Sequence, residues 1–299
     1  MQPAALLRSL LANGPFGRDA APYRLLTVAG PDAAEFLQRL CTQDVLAVTI
    51  GSLAPAALLD AKGKLQVTCL LGRLAADRFV LETQAEQAER LAALLDRYHF
   101  TEKLTLRSWP AGPCWERIGA GEGEGGGGSV AGDEASCVVV FARRGVRFER
   151  RHGGGPAWPA AHELEPARAE CLRMLAGLVR VGVDTEPTTL ALEADLDDHC
   201  STTKGCYTGQ EIVARIHTYG HVNRRLCLLE LAAGPAVTAP VPVHDEVDLP
   251  VGRVMHAVLL PDGSARLGFG YLPKDFQAPG TKLRLADGGA VTVLSVGGA

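Results

Sequence analysis

Apolar and polar positions change their period along this chain, and each change marks an element. Residues 23–28 form a short β-like run that ends at Ala29-Gly30-Pro31-Asp32, after which Phe36, Leu37 and Leu40 recur at helical spacing on one face. Two further apolar runs, 53–59 and 65–71, flank the polar Asp60-Ala61-Lys62-Gly63-Lys64 and so predict a β-hairpin. Residues 79–81 predict another strand. Residues 85–95 predict an amphipathic helix with Ala88, Leu91, Leu94 and Leu95 on its apolar face, and 104–106 closes the unit. The order β-α-β-β-β-α-β is that of an α+β lobe, an antiparallel sheet with helices on one face.

Further along, residues 119–133 are glycine-rich, with Gly125 to Gly128 in a row. That composition predicts a flexible surface insertion, and without a Gly-Lys-Ser/Thr ending it is not a phosphate loop. Residues 136–141 read as a buried strand and 146–149 as an exposed one, which places a second α+β lobe around the insertion. Residues 166–179 are helical in pattern, with Cys171, Leu172, Leu175 and Leu178 apolar. After Gly220 the character changes: runs at 226–231, 251–257, 267–272, 282–285 and 291–296 are β-like, separated by Gly, Pro and Asp, and predict a small all-β barrel. The expected domains are therefore 1–110, 111–222 and 223–299.

With 299 residues, 47% of them apolar, the chain can bury a large core and should form more than one lobe. A formal charge of −4 gives no general attraction to nucleic acid, so no direct nucleic-acid partner is expected. No apolar stretch reaches the length that spans a bilayer, and residues 6–11 are a short run broken by Arg8. No membrane partner is expected, and the chain reads as a cytoplasmic protein. Its eight cysteines are scattered without a dense framework, which reads as reduced thiols. Cys200, Cys206, His217 and His221 offer a conceivable zinc set, but the cysteine spacing is wide and Gly220 separates the histidines, so no metal site is expected. His244 and His256 read as strand or surface residues.

The stretch Lys204-Gly205-Cys206-Tyr207-Thr208-Gly209-Gln210-Glu211 carries the candidate chemistry. Thr208 with Glu211, ahead of Ile212, Val213 and Ile216, has the form of a capping box and predicts a helix from Thr208. Cys206 would then lie just outside a helix amino end, with the Lys204 ammonium two residues back, and both would favour thiolate over thiol. A free cysteine is otherwise a small buried hydrophobe.

That string resembles the signature of the YgfZ/GcvT-like folate-binding family, whose YgfZ branch serves iron–sulfur proteins and certain tRNA modifications. Leu26-Thr27-Val28-Ala29-Gly30-Pro31-Asp32-Ala33, Phe36-Leu37-Gln38, Thr42-Gln43-Asp44, the Lys62-Gly63-Lys64 hairpin and the Val251-Gly252-Arg253-Val254 and Leu267-Gly268-Phe269-Gly270-Tyr271 strands are similar to other parts of the family. The resemblance implies a GcvT-like α+β body of two antiparallel-sheet lobes with a C-terminal barrel. It also implies tetrahydrofolate as cofactor and iron–sulfur proteins or assembly factors as partners, with a transient contact to the cluster. Cys206 would be the reactive thiolate and Lys204 would hold it ionised; Tyr207 and Gln210 would line the groove, Arg215 would meet a folate carboxylate, and Thr42, Asp44 and Glu193 would be further ligand contacts. Three positions depart from the pattern: Leu175 stands where pterin-binding relatives have a glutamate, Ala191 where they have a proline and Asp195 where they have an asparagine.

The resemblance implies an accessory protein for iron–sulfur cluster assembly or repair rather than a classical enzyme. A second reading is a folate-dependent aminomethyltransferase or demethylase, but Gln66 and Val67 lie where such transferases carry an aspartate that stabilises developing positive charge. The third is a non-catalytic scaffold of the same fold.

Overall fold

The computed structural model describes residues 2–19, 21–110, 112–122, 127–133, 135–154 and 162–298. The elements run α1 (Pro3–Leu11), β1 (Phe16–Arg18), β2 (Tyr23–Ala29), α2 (Ala33–Leu40), β3 (Ser52–Leu59), β4 (Leu65–Ala75), β5 (Arg78–Gln84), α3 (Ala88–Arg97) and β6 (Thr105–Ser108). They continue through β7 (Cys114–Ala120), β8 (Gly128–Gly132), β9 (Ser136–Arg143), β10 (Val146–Gly153), β11 (His162–Glu163), α4 (Pro166–Leu175) and α5 (Gln210–Tyr219). The final strands are β12 (Arg224–Ala232), β13 (Val241–His244), β14 (Pro250–Leu259), β15 (Ala265–Pro273), β16 (Lys282–Leu285) and β17 (Ala290–Val296).

These elements fall into two compact units that interleave in sequence. One comprises Gly14–Glu163 and Asp197–Arg215, the other Met1–Asn13, Leu164–Leu196 and Ile216–Ala299. The first holds an eleven-stranded sheet in the order β11-β1-β7-β10-β9-β8-β3-β4-β5-β2-β6, antiparallel except where β1 meets β11. The β-α-β-β-β-α-β order is present from β2 to β6. Phe36, Leu37 and Leu40 of α2 and Leu91 and Leu95 of α3 are buried in its core with Leu26, Val28, Leu71 and Leu81, as their spacing predicts. The two lobes expected either side of residue 110 are hydrogen-bonded into this one sheet through β3 and β8, where Ser52 pairs with Ser129 and Leu53 with Gly128.

The predicted flexible insertion 119–133 is therefore corrected in part. Its residues 123–126 lie outside the described ones, but β7 reaches Ala120 and Gly128–Gly132 is a strand paired with β9. The physical reason is that glycine supplies close approach as well as freedom: a β-carbon on Gly128 would lie 2.1 Å from the Val140 carbonyl oxygen. Val130 anchors the strand, 3% exposed and inserted against Gly72.

An ion-pair cluster that nothing in the periodicity announced ties β7 and β10 to β5. Arg150 on β10 donates from Nη1 to Glu82 on β5 at 2.6 Å and from Nε to Glu116 on β7 at 2.8 Å. Arg18 also reaches Glu116, at 2.6 Å, and the His152 ring meets Glu82 at 2.6 Å. Strands β9, β8, β3 and β4 lie between β10 and β5 in the ladder, so the sheet curls enough to bring β10 side chains onto β5.

The second unit contains the closed barrel β12-β15-β14-β13-β16-β17 that the C-terminal pattern predicts, filled by Cys227, Leu229, Leu231, Val243, Val254, Val291 and Val293. In the same unit Arg173 of α4 binds Glu170 at 2.6 Å and Asp184 at 2.7 Å, while Leu175 is fully buried.

Candidate functional site

Residues 204–209 form a loop that is strapped down on nearly every side. Lys204 is 7% exposed, and its ammonium donates to the carbonyls of Gln38 at 2.6 Å, Cys41 at 2.7 Å and Gln43 at 2.7 Å. All three of its N–H donors are thereby used. The expectation that Lys204 holds Cys206 as thiolate is corrected on this geometry: its charge is spent on the carbonyls of Gln38 in the last turn of α2, Cys41 at its cap and Gln43 just beyond, where a cation is favoured. Burial lowers the Lys204 pKa to about 8, with Cys41 and Asp44 acting in the opposite direction.

Downstream, Tyr207 is buried and its ring centroid lies 5.0 Å from the Lys204 ammonium. Its hydroxyl is also buried and, among the described residues, has no hydrogen-bond partner. Burial raises its pKa well above the ordinary phenol range. The Thr208 amide donates to the Arg39 carbonyl at 3.2 Å. Gly209, at φ +83°, is wedged where a β-carbon would lie 2.6 Å from the Asp60 carbonyl oxygen. Because Gly209 takes this left-handed conformation, the helix starts at Gln210 and not at Thr208. Between these anchors only Gly205 and Cys206 project, both exposed, with nothing within 4 Å of a β-carbon placed on Gly205.

Cys206 is the one exposed cysteine of eight; the other seven are buried. Burial pushes the thiols of Cys41 and Cys200 up to about 12.

Thr42 is buried and fully engaged: Oγ1 donates to the His199 carbonyl at 2.5 Å and accepts the Ala57 amide at 2.9 Å. Asp44 accepts Gln38 Nε2 at 3.0 Å. Thr42 therefore shapes the loop that seats Lys204, whereas Asp44 is half-buried beside it. Gln210 is half-buried and Arg215 exposed, both in the sheet unit. Glu193 belongs to the barrel unit, where it accepts the Leu190 amide at 3.1 Å and lies 3.4 Å from Arg224 Nε. Its carboxylate is thus occupied within that unit. Gln66 and Val67 offer no carboxylate: Val67 is fully buried and Gln66 binds Arg90 and the Lys64 carbonyl.

Sequence reasoning did not single out Arg143, Asp198 and His199, which sit beside Thr42 and Gln43. The available signal was register: Cys137, Val139, Phe141 and Arg143 alternate inward on β9, so an arginine occupies an apolar position and requires a partner.

The fold is GcvT-like, an α+β body with a terminal barrel. Residues 18–111 match the GCVT N-terminal domain. The structure is similar to the glycine cleavage system aminomethyltransferase T from Bartonella henselae, with TM-score 0.77 and 20% identity over 98% of this chain and 88% of that one. In sequence it is 27% identical over 217 residues to an uncharacterized protein of Haemophilus influenzae, covering 70% of this chain and 71% of the other. It is 28% identical over 222 residues to the human mitochondrial iron-sulfur cluster assembly factor IBA57, covering 68% of this chain and 62% of that protein.

Proposed function

We propose that this protein is an accessory factor for the assembly or repair of iron–sulfur clusters, supporting iron–sulfur enzymes such as tRNA-modifying ones, with Cys206 as its reactive thiol. The observation that carries the reading is the pattern of exposure: one cysteine of eight meets solvent, at the tip of an anchored loop. A thiol must be reachable to attack a disulfide or persulfide sulfur or to bind cluster iron, and the seven buried thiols are not. The likeness to the human assembly factor supports the same function class. Partners of this activity are iron–sulfur proteins or their assembly factors, which meet Cys206 at the loop tip.

Tetrahydrofolate belongs to the proposal as a small-molecule partner, and the GcvT-like fold supports it. Of the residues considered for it, Tyr207 fits, because its buried hydroxyl lacks a partner that a polar ligand atom would supply. Gln210 and Arg215 would take the remaining polar groups, Arg215 through bidentate contact to a carboxylate. When bound, the reduced pterin would supply a carrier for one-carbon units. Thr42 and Glu193 have their polar atoms committed elsewhere. Eight free cysteines fit a reducing compartment, and this supports the cytoplasmic reading.

The test is Cys206→Ser in cells that lack the protein, read through the activity of an iron–sulfur enzyme. Loss of that activity with normal protein levels is expected; full restoration would remove the thiol from the account. Calorimetric titration with tetrahydrofolate tests the ligand separately, and no heat at high micromolar concentration would remove it.

A further inference from the structure

Resting on the reading of Cys206 as the working group, a second set of residues accounts for how its position is set. Asp198 carries Arg143 on one carboxylate oxygen and the His199 Nδ1 on the other, the latter at 2.8 Å. Arg143 is 3% exposed and projects from the inward face of β9. Burial opposes ionisation of Asp198, but its hydrogen bonds and charge pairing with His199 and Arg143 outweigh that and hold its pKa below the ordinary carboxylate range. The ion pair therefore persists at neutral pH.

The backbone of the same segment then grips the loop that seats Lys204. The Asp198 carbonyl accepts Gln43 Nε2 at 3.0 Å, the His199 carbonyl accepts Thr42 Oγ1 at 2.5 Å, and the Ser201 amide donates to the Thr42 carbonyl at 2.9 Å. Gln43 and Cys41, on either side of Thr42, supply two of the three carbonyls that hold the Lys204 ammonium. Ser201 Oγ also accepts the Lys204 amide at 3.2 Å. Every link from Arg143 to the residue two before Cys206 is thus a hydrogen bond or ion pair within one compact unit.

We propose that Arg143 and Asp198 are positioning residues for the Cys206 thiol: their ion pair fixes segment 197–201, which fixes the carbonyls around Lys204, which hold the Gly205–Cys206 tip outward. Neither residue touches a reacting atom.

The experiment uses the full chain with Arg143→Gln, Arg143→Lys, Lys204→Met and the Arg143→Gln/Lys204→Met pair. Amide hydrogen exchange over residues 201–208 is measured together with the rate of Cys206 alkylation by iodoacetamide at fixed pH. Arg143→Gln is expected to speed exchange in 201–208 at least tenfold while leaving β3 to β5 unchanged, and to slow Cys206 alkylation at least twofold as the tip is no longer held outward; Arg143→Lys restores part of both. The double variant should behave like Lys204→Met alone, since both act along one chain of contacts. Exchange that rises equally across the sheet, or a 201–208 exchange rate or alkylation rate unchanged from wild type, overturns the proposal. If Arg143→Gln does not fold, Asp198→Asn is read in the same way. Cys206→Ser that still supports iron–sulfur enzyme activity would sink the functional reading but leave these exchange results standing, so the two failures are distinct.

Discussion

Gly63 and Gly209 lie against each other, so closely that a β-carbon on Gly209 would sit 3.2 Å from the Gly63 α-carbon. Both have positive φ, +72° and +83°. Two stretches 146 positions apart, the β3–β4 turn and the Cys206 loop, are in this way packed backbone to backbone. Substituting Gly209→Ala adds backbone strain and a clash with the Asp60 carbonyl, and should cost about 2 kcal/mol or more of unfolding free energy in urea titration. Gly205→Ala, which meets nothing within 4 Å, should fall within about 0.5 kcal/mol of wild type.

Lys204→Met should destabilise the fold by about 3 kcal/mol, because three carbonyls lose their donor at a site only 7% exposed for the lysine. Chemical denaturation measures it. A loss under about 0.5 kcal/mol would show that the cage of carbonyls is not a structural anchor.

Native-state alkylation followed by intact mass spectrometry should add one label quickly, on Cys206, and reach eight only after denaturation. Labelling of Cys41 or Cys200 at a comparable rate in the folded protein would contradict their burial.

Arg150→Met leaves Glu82 and Glu116 without their shared partner in the interior and should cost about 3–5 kcal/mol. Adding Glu82→Gln to it should recover part of the loss, since one uncompensated buried charge is then removed. Equilibrium unfolding of the two variants side by side distinguishes a stabilising clasp between β10 and β5 from a buried pair that contributes nothing.

Acid stability should report Glu170. Burial opposes its ionisation, yet Arg173 foremost, then Arg180 and His256, bring its pKa down to about 2 from 4.5. The unfolded state binds the proton first as pH falls, so this contribution is complete above about pH 4.5 and is lost between there and about pH 2, on the order of 2 kcal/mol. Glu170→Gln should flatten that limb of a stability-versus-pH curve.

Much of the architecture was legible because it depends on neighbours in sequence. The β3–β4 hairpin follows from two alternating apolar runs around Asp60 and Gly63, and Asp60 Oδ1 accepts the Lys62 and Lys64 amides at 2.8 and 2.9 Å as a turn aspartate should. Helix α2 follows from Phe36, Leu37 and Leu40. The site was legible in outline only: Gln38, Thr42, Gln43 and Asp44 lie in segments whose resemblance was visible, but the cage they build around Lys204 was not. Thr42 and Glu193, which look like ligand contacts in a string, have hydrogen bonds within the chain.

By itself the sequence determined most of the secondary elements, the α+β body, the terminal barrel and the candidate stretch 204–211, because period, turn residues and motif are local properties. Tertiary structure decided which of eight cysteines reaches solvent, that Lys204 spends its charge on carbonyls 161 to 166 positions away, and that Arg143 finds Asp198 across 55. Such contacts depend on which buried polar groups packing brings within hydrogen-bond reach, and no local pattern encodes that distance.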